Sequence, residues 1–387
     1  MKRIGLMIAF LLLFAFCVAG CGGTGNRDNK KEETQKVKVV TTIFPEYSWV
    51  KEIAGAQEKN VEITLLAKKG VDLHSYRPSV EDILKIANCD LFIYVGGESD
   101  AWVEKALQEG KNPKRKAINL MKLLGERVRE EETVEGMEKE KHHEHGDKEK
   151  HEDHDDHEHT GKQDARHDGH QDKEDRQDDH DKAHREKEHH DKEHHEKEHH
   201  DEVEYDEHVW LSLKNADMIC RAIAEDLAAL DSQSAAAYRA NYEAYSKKLA
   251  ALDAQYKDAI AKAPVKTVLF GDRFPFRYLA DDYGLTYFAA FKGCSAETEA
   301  SFETVAFLAR KTEELKLPAV LAIERRQHKL AQTIADNTKS RNQKILTMNS
   351  MQSVTEDEVK NGASYLKVME ANLKVLKEAL QSKGSAD

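Results

Sequence analysis

The sequence predicts an α/β protein of two lobes, each a parallel sheet flanked by helices, joined by one long helix. Three observations lead to that architecture. Short, continuously apolar runs alternate with helix-forming segments in two separate stretches, and such runs suit strands covered on both faces. Between those stretches, residues 234–262 contain neither Gly nor Pro and are dominated by good helix formers such as Ala, Lys, Leu, Glu and Gln. Finally, residues 130–201 are largely His, Asp, Glu and Lys, without apolar periodicity, so they have nothing to bury and read as a disordered insert.

In order, residues 38–43 (Lys-Val-Val-Thr-Thr-Ile) form a buried strand, and Pro45 then opens a helix to about residue 54. Residues 61–66 are a second strand. A loop punctuated by Gly70 and Pro78 follows, and Ser79 caps a helix through residue 87, with Glu81 and Asp82 where the helix dipole favours acids. Residues 90–95 and 117–120 are the third and fourth strands, with a helix over 102–107 between them. After the insert, helices cover 213–230 and 234–262; at ~1.5 Å per residue the second is about 43 Å long. Pro264 stops it. Strands at 266–270, 285–290, 319–323 and 344–347 then alternate with helices at 274–282, 301–315, 329–337 and 357–381. The resulting division is 1–20 export signal, 21–36 tether, 37–129 first lobe, 130–204 insert, 205–233 return to the first lobe, 234–263 linking helix and 264–387 second lobe.

The N-terminus supplies the compartment. Met1-Lys2-Arg3, an apolar run over 4–19 and small residues before Cys21 describe an export signal, and the run is shorter than the ~20 residues a spanning helix needs. Val18-Ala19-Gly20-Cys21 resembles the bacterial lipoprotein signal, which implies lipid on Cys21 and anchoring to the outer face of the cell membrane. Of the five cysteines, Cys17 leaves with the signal, and Cys89, Cys220 and Cys294 read as small buried apolar residues. A net charge of -13 and the lack of a basic stripe exclude nucleic acid as a partner.

Of the 20 histidines, 17 lie between His142 and His200, leaving His74, His208 and His328 in foldable sequence. Imidazole and carboxylate at this density suit a divalent transition metal, zinc above all. His142, His143, His145, His189, His190, His194, His195, His199 and His200 are candidates for a weak, multi-site zinc collector; the alternative is a solvated linker. His195-Glu196-Lys197-Glu198-His199 matches the HExxH zinc-protease signature, but a tract of this composition yields such a match by chance and lacks the flanks that would bury a catalytic helix. His74 and His208 instead sit in loops expected at one edge of the first sheet, where ligand sites of such folds lie.

Gly70-Val71-Asp72-Leu73-His74-Ser75-Tyr76-Arg77-Pro78-Ser79 and Asp206-Glu207-His208-Val209-Trp210-Leu211 resemble the two histidine motifs of the zinc/manganese solute-binding lipoproteins that feed ABC importers, with the acidic His-rich insert just before the second motif. The resemblance covers essentially the whole chain. It implies the metal-receptor class of periplasmic-binding-protein-like folds, a monomer, an ABC permease as partner, no enzymatic activity and a Zn²⁺ or Mn²⁺ site between the lobes, with His74 and His208 as ligands. The third ligand position falls on Arg273, whose guanidinium has no lone pair. Asp272 beside it is the candidate replacement. The fourth falls on Asn349. Glu207 and His328 are further candidates, although a surface role suits His328 better, and Glu297 and Glu299 read as structural. The alternative function is an extracellular metal buffer or adhesin on the same fold.

Overall fold

The computed structural model describes residues 36–138 and 203–381, apart from 69, 111, 296–298 and 325–327. Cys21, Glu297 and all 17 histidines of the insert lie outside the described residues. No helix among those described is long and apolar enough to cross a membrane.

Two four-stranded sheets organise the chain, each wholly parallel. The first contains β1 (Val37–Thr41), β2 (Val61–Leu65), β3 (Leu91–Tyr94) and β4 (Lys116–Asn119) in the order β2-β1-β3-β4. The second contains β5 (Thr267–Arg273), β6 (Thr286–Phe291), β7 (Ala319–Ile323) and β8 (Lys344–Met348) in the order β6-β5-β7-β8. In both, the chain starts near the middle and winds outward in two directions, so each sheet has a crevice beside its first strand where the winding reverses. Residues of β7 are buried throughout because helices cover both faces of the sheet.

Helices α1 (Phe44–Ala54), α2 (Val80–Asn88), α3 (Trp102–Gln108) and α4 (Leu120–Leu124) serve the first sheet. Helix α2 begins in a capping box: Ser79 Oγ accepts from the Asp82 N–H at 3.2 Å, and Asp82 Oδ2 accepts from the Ser79 N–H at 3.0 Å. The short α4 was not expected from the apolar pattern, but its cap is visible in the sequence: Asn119 Oδ1 accepts from the Lys122 N–H at 2.8 Å.

After the insert come α5 (Leu213–Leu230) and the long α6 (Ala235–Ala261). Helix α6 packs on α1 and α5 at one end and on α7 (Arg277–Tyr283) and α11 (Tyr365–Ala379) at the other. Its buried residues join one core that runs from Val39 in the first sheet to Leu376 in α11. Two smaller clusters cover the outer faces of the sheets.

The second sheet is completed by α8 (Phe302–Glu314), α9 (Lys329–Asp336) and α10 (Glu356–Lys360). Two boundaries differ from the sequence expectation for clear reasons. The helix expected over 274–282 starts at Arg277 instead, because Pro275 pushes the residue before it into extended backbone, and β5 therefore runs on to Arg273. The helix expected over 357–381 is two helices, since Gly362 adopts φ +84° and Ser364 starts a new cap on Lys367 N–H.

The ends of the insert are pinned together by an antiparallel bridge between Glu130 and Tyr205, with Glu131 N–H donating to Glu204 O at 2.8 Å and Asp206 N–H to Arg129 O at 2.9 Å. Residues 130–138, within the expected insert, cross to the second sheet. There Met137 is buried, Glu138 N–H donates to Ala290 O at 2.9 Å, and Glu132 pairs with Arg277.

Candidate metal centre

His74 sits in a 3-10 turn, Leu73–Ser75, beyond the carboxyl end of β2, where Asp72 caps it by accepting the His74 N–H at 3.1 Å. His208 precedes another 3-10 turn, Val209–Leu211, beyond the pinned neck of the insert. What holds this second turn is Trp210, fully buried, with its Nε1–H donating to Ser350 O at 2.8 Å and its own carbonyl accepting from Tyr365 OH at 2.7 Å. Such an anchor is worth about 3–5 kcal/mol against truncation to Ala. Both histidines are therefore placed by backbone that the core fixes.

The two rings meet edge to edge, with His74 Nε2 and His208 Nε2 3.3 Å apart. Two nitrogens bound to one tetrahedral zinc at ~2.0–2.1 Å stand about 3.3–3.4 Å apart, so the spacing already matches a shared metal. The other nitrogen of each ring is engaged from behind. His208 Nδ1 lies 2.9 Å from Asp206 Oδ1, which also accepts the His208 N–H at 2.8 Å. His74 Nδ1 lies 2.8 Å from Ser99 Oγ and 3.5 Å from Glu207 Oε2. Asp206 behind His208 holds a proton on Nδ1, so Nε2 offers its lone pair once the proton it shares with Gln352 is lost, the arrangement that metal-binding histidines use.

The charges are unequal. Burial, then the neighbouring His208, pushes His74 down to about 3, so it is neutral at working pH. Burial also pushes His208 down, but the charge and hydrogen bond of Asp206, with Glu131 beyond, outweigh it and leave His208 above its ordinary 6.5. At working pH the pair thus carries at most one positive charge, on the His208 ring beside Asp206.

Glu207, a further candidate ligand, stands behind the His74 ring, on the Nδ1 side. Its Oε1 accepts the Ser99 N–H at 2.9 Å, while Oε2 is buried without a hydrogen-bond partner among the described residues and faces His74. Burial raises its pKa.

The structure does not bring Asp272 to the imidazoles. Its Oδ1 accepts the Arg273 N–H at 2.9 Å and its Oδ2 the Ile323 N–H at 3.4 Å, so the carboxylate ties together backbone of β5 and β7. Asn349 is also turned to local work, its Oδ1 accepting the Met351 N–H at 2.7 Å. His328 caps α9 in left-handed backbone and bonds Thr347 Oγ1 at 3.2 Å, outside the cluster.

What the second sheet places there is different. Arg273, 4 % exposed, donates to Asp72 Oδ2 at 2.5 Å and to Ser295 O at 3.2 Å, bridging the His74 loop to the second half of the chain. Burial pushes the Asp72 carboxyl up, but this guanidinium, together with His74 and the hydrogen bonds from both residues, outweighs it and holds the carboxyl below the usual value. Gln352, beyond β8, reaches His208 Nε2 at 3.0 Å; with its amide oxygen turned to that nitrogen, its NH₂ donates to Asp72 Oδ1 at 2.9 Å. Cys294, beyond β6, has Sγ 4.0 Å from His208 Nδ1. Among the described residues, His74, His208 and Cys294 are the group of three metal-binding side chains whose ligand atoms lie within 4.8 Å of one another. Sequence reading missed Gln352 and Cys294, and no local motif marks either.

Beside the group is a cavity of about 640 Å³, lined by His74, Ser99 and Trp102 from the first half, Lys292, Cys294 and Ser295 from the second, and Glu131, Glu204 and Tyr205 from the ends of the insert. The site residues thus follow the carboxyl ends of β2, β3, β5, β6 and β8, joined by the turn at His208.

Comparison with known proteins bears on the fold and the family. The zinc-binding lipoprotein AdcA of Streptococcus pneumoniae serotype 4 is 29% identical over 386 residues, covering 100% of this chain and 62% of AdcA. This chain therefore spans about three fifths of the length of that relative. The high-affinity zinc uptake system protein ZnuA of Bacillus subtilis is 26% identical over 373 residues, covering 96% of this chain and 97% of that protein. The crystal structure of the Zn(II)-bound ZnuA-like domain of S. pneumoniae AdcA matches with a TM-score of 0.59 at 25% identity, over 90% of this chain and 100% of that domain. A laminin-binding protein of Streptococcus agalactiae, described as an adhesin with metal-transporting activity, shares the fold at 22% identity and a TM-score of 0.60, over 89% of this chain and 100% of that one. The family model described as zinc-uptake complex component A, periplasmic, matches residues 39–379, and on that span the chain belongs to this family.

Proposed function

We propose that this protein is a surface receptor that captures Zn²⁺ between its two sheets at His74 and His208 and delivers it to an ABC importer permease. The observation that carries the reading is the 3.3 Å approach of two Nε2 atoms whose Nδ1 atoms are both held from behind. Neutral imidazoles beside a thiol form a donor set that suits zinc better than manganese, which prefers carboxylate oxygen. The uptake-complex description of the family and the names of its zinc-binding relatives support the same cargo and partner. The lipoprotein-like signal at Cys21 supports anchoring to the outer face of the membrane. The receptor performs no covalent chemistry, and the histidine-rich insert serves as a weak collector that raises the local zinc concentration.

Zinc titration of the whole chain against a competing chelator tests this. One tight site is expected above a background of weak ones, and His74→Ala or His208→Ala should each weaken it by about 100-fold or more, beyond the 10–100-fold typical of losing a residue behind a ligand. If both variants keep the tight site, the metal is held elsewhere and the reading is wrong.

A further inference from the structure

We propose that Cys294 is the third protein ligand of this zinc site, binding through its thiolate, so that the second sheet contributes sulfur to the two nitrogens of the first. This rests on the receptor reading and adds the identity of the missing donor. His74 and His208 leave a tetrahedral zinc two ligands short. The charged residue that the second sheet sends here, Arg273, has no lone pair, and Asp272 and Asn349 are held in backbone hydrogen bonds away from the rings. Among the described residues, Cys294 is the side chain that groups with both histidines; its Sγ, 4.0 Å from His208 Nδ1, moves round the ring edge toward the two Nε2 atoms to join them on the metal.

The local backbone is built for that approach. Gly293 passes so close to His208 that a Cβ there would lie 3.2 Å from both Cε1 and Nδ1 of the ring and 2.9 Å from Phe274 O. A side chain at 293 would push the turn away, and the thiol with it. Cys294 N–H is held by Glu131 Oε1 at 3.0 Å, which fixes the turn against the neck of the insert. The thiol also lines the cavity shared with His74 and Glu207. On binding, the S–H bond breaks, a Zn–S bond of about 2.3 Å forms, and the proton passes to solvent. Gln352 Oε1 or water is left for the fourth position.

Cobalt(II) titration of the whole chain reads sulfur ligation directly, because a thiolate on cobalt gives a near-ultraviolet charge-transfer band that nitrogen and oxygen ligands do not. The histidine-rich insert therefore contributes nothing to the signal. One equivalent of cobalt should raise the band to saturation in the wild type, Cys294→Ser should abolish it, and zinc affinity in Cys294→Ser should fall by at least about tenfold. Zinc should also protect Cys294 from iodoacetamide in the wild type, a measurement that needs no variant to fold. A wild type that saturates with cobalt without the band, or a Cys294→Ser protein that keeps its zinc affinity while His74→Ala loses it, overturns the sulfur ligand and leaves the receptor reading intact. A wild type that binds no zinc at His74 and His208 overturns both.

Discussion

The two halves of the candidate metal centre are built differently. The first half supplies both imidazoles, each with its rear nitrogen held by Asp206 or by Ser99 and Glu207, on turns anchored by Asp72 and Trp210. The second half supplies an arginine, an amide and a thiol. On the receptor reading, the half with the two oriented imidazoles is already spaced for a shared metal, with its Nε2 atoms 3.3 Å apart. The other half then sets how tightly and how selectively the cation is held. Arg273 works against affinity, since it places a fixed positive charge beside Asp72 and depresses both histidines. It also links the halves through the Asp72 pair, so the same residue joins the sheets and limits the charge the site tolerates.

The comparison can be broken first at Asp206. If the first half derives its strength from oriented imidazoles, Asp206→Ala should weaken zinc binding by about 10–100-fold although it removes no ligand. Equal affinities of wild type and variant by competition titration would show that the orientation of His208 contributes nothing.

The second test is pH. Zinc requires both rings neutral, and His74, held at about 3, is neutral throughout, whereas His208 is held above 6.5. As pH falls through the raised pKa of His208, the slope of log affinity against pH should steepen by one proton, about tenfold per unit. Steepening by two would mean that both rings titrate together. For the metal-free fold, the lowered pKa of His74 gives stability that is fully present above its unfolded value of 6.5 and is lost progressively as pH falls from there toward about 3. The difference in urea midpoint between wild type and His74→Gln across that window isolates this loss from the opposing titration of Asp100, whose carboxyl burial pushes up to about 7.

The smallest expected effect sharpens the role of the second half. Arg273→Gln removes the opposing charge, so zinc affinity should rise by about 3–10-fold, the order of the ~1 kcal/mol that one charge pair retains when water screens it. The same change breaks the pair with Asp72. Since the Asp72 side chain is 24% exposed, the cost to stability should be about 1–3 kcal/mol, less than the ~3–5 of a fully buried pair. Calorimetry and a thermal melt on one variant separate the two effects, and weaker zinc binding would contradict the opposing role of Arg273.

Much of the fold was legible because its signals are local. The continuously apolar strands, the Ser79 cap, the absence of Gly and Pro over 234–262 and the stop at Pro264 are each read within a few residues. Errors of boundary came where a neighbour overrode the pattern. Pro275 extended β5 through Arg273, and Gly362 divided the last helix. In the site, His74 and His208 were legible because their turns carry caps and anchors next to them in sequence, Asp72 for one and Asp206 with Trp210 for the other. Asp272 looked like a ligand because it sits beside the right position, but its carboxylate accepts the backbone N–H groups of Arg273 and Ile323. With Arg273 turned to Asp72, Asp272 is left to bond β7.

By itself, then, the sequence determined the two parallel sheets, the long helix between them and the pair of histidines, because periodicity, caps and turns act over a few residues. Only the tertiary structure decided which side chains meet that pair. Cys294 and Gln352 lie 86 and 144 residues from His208, and Arg273 lies 201 from Asp72. Contacts at such separations depend on how the two sheets pack around one shared core, and no local pattern encodes that packing.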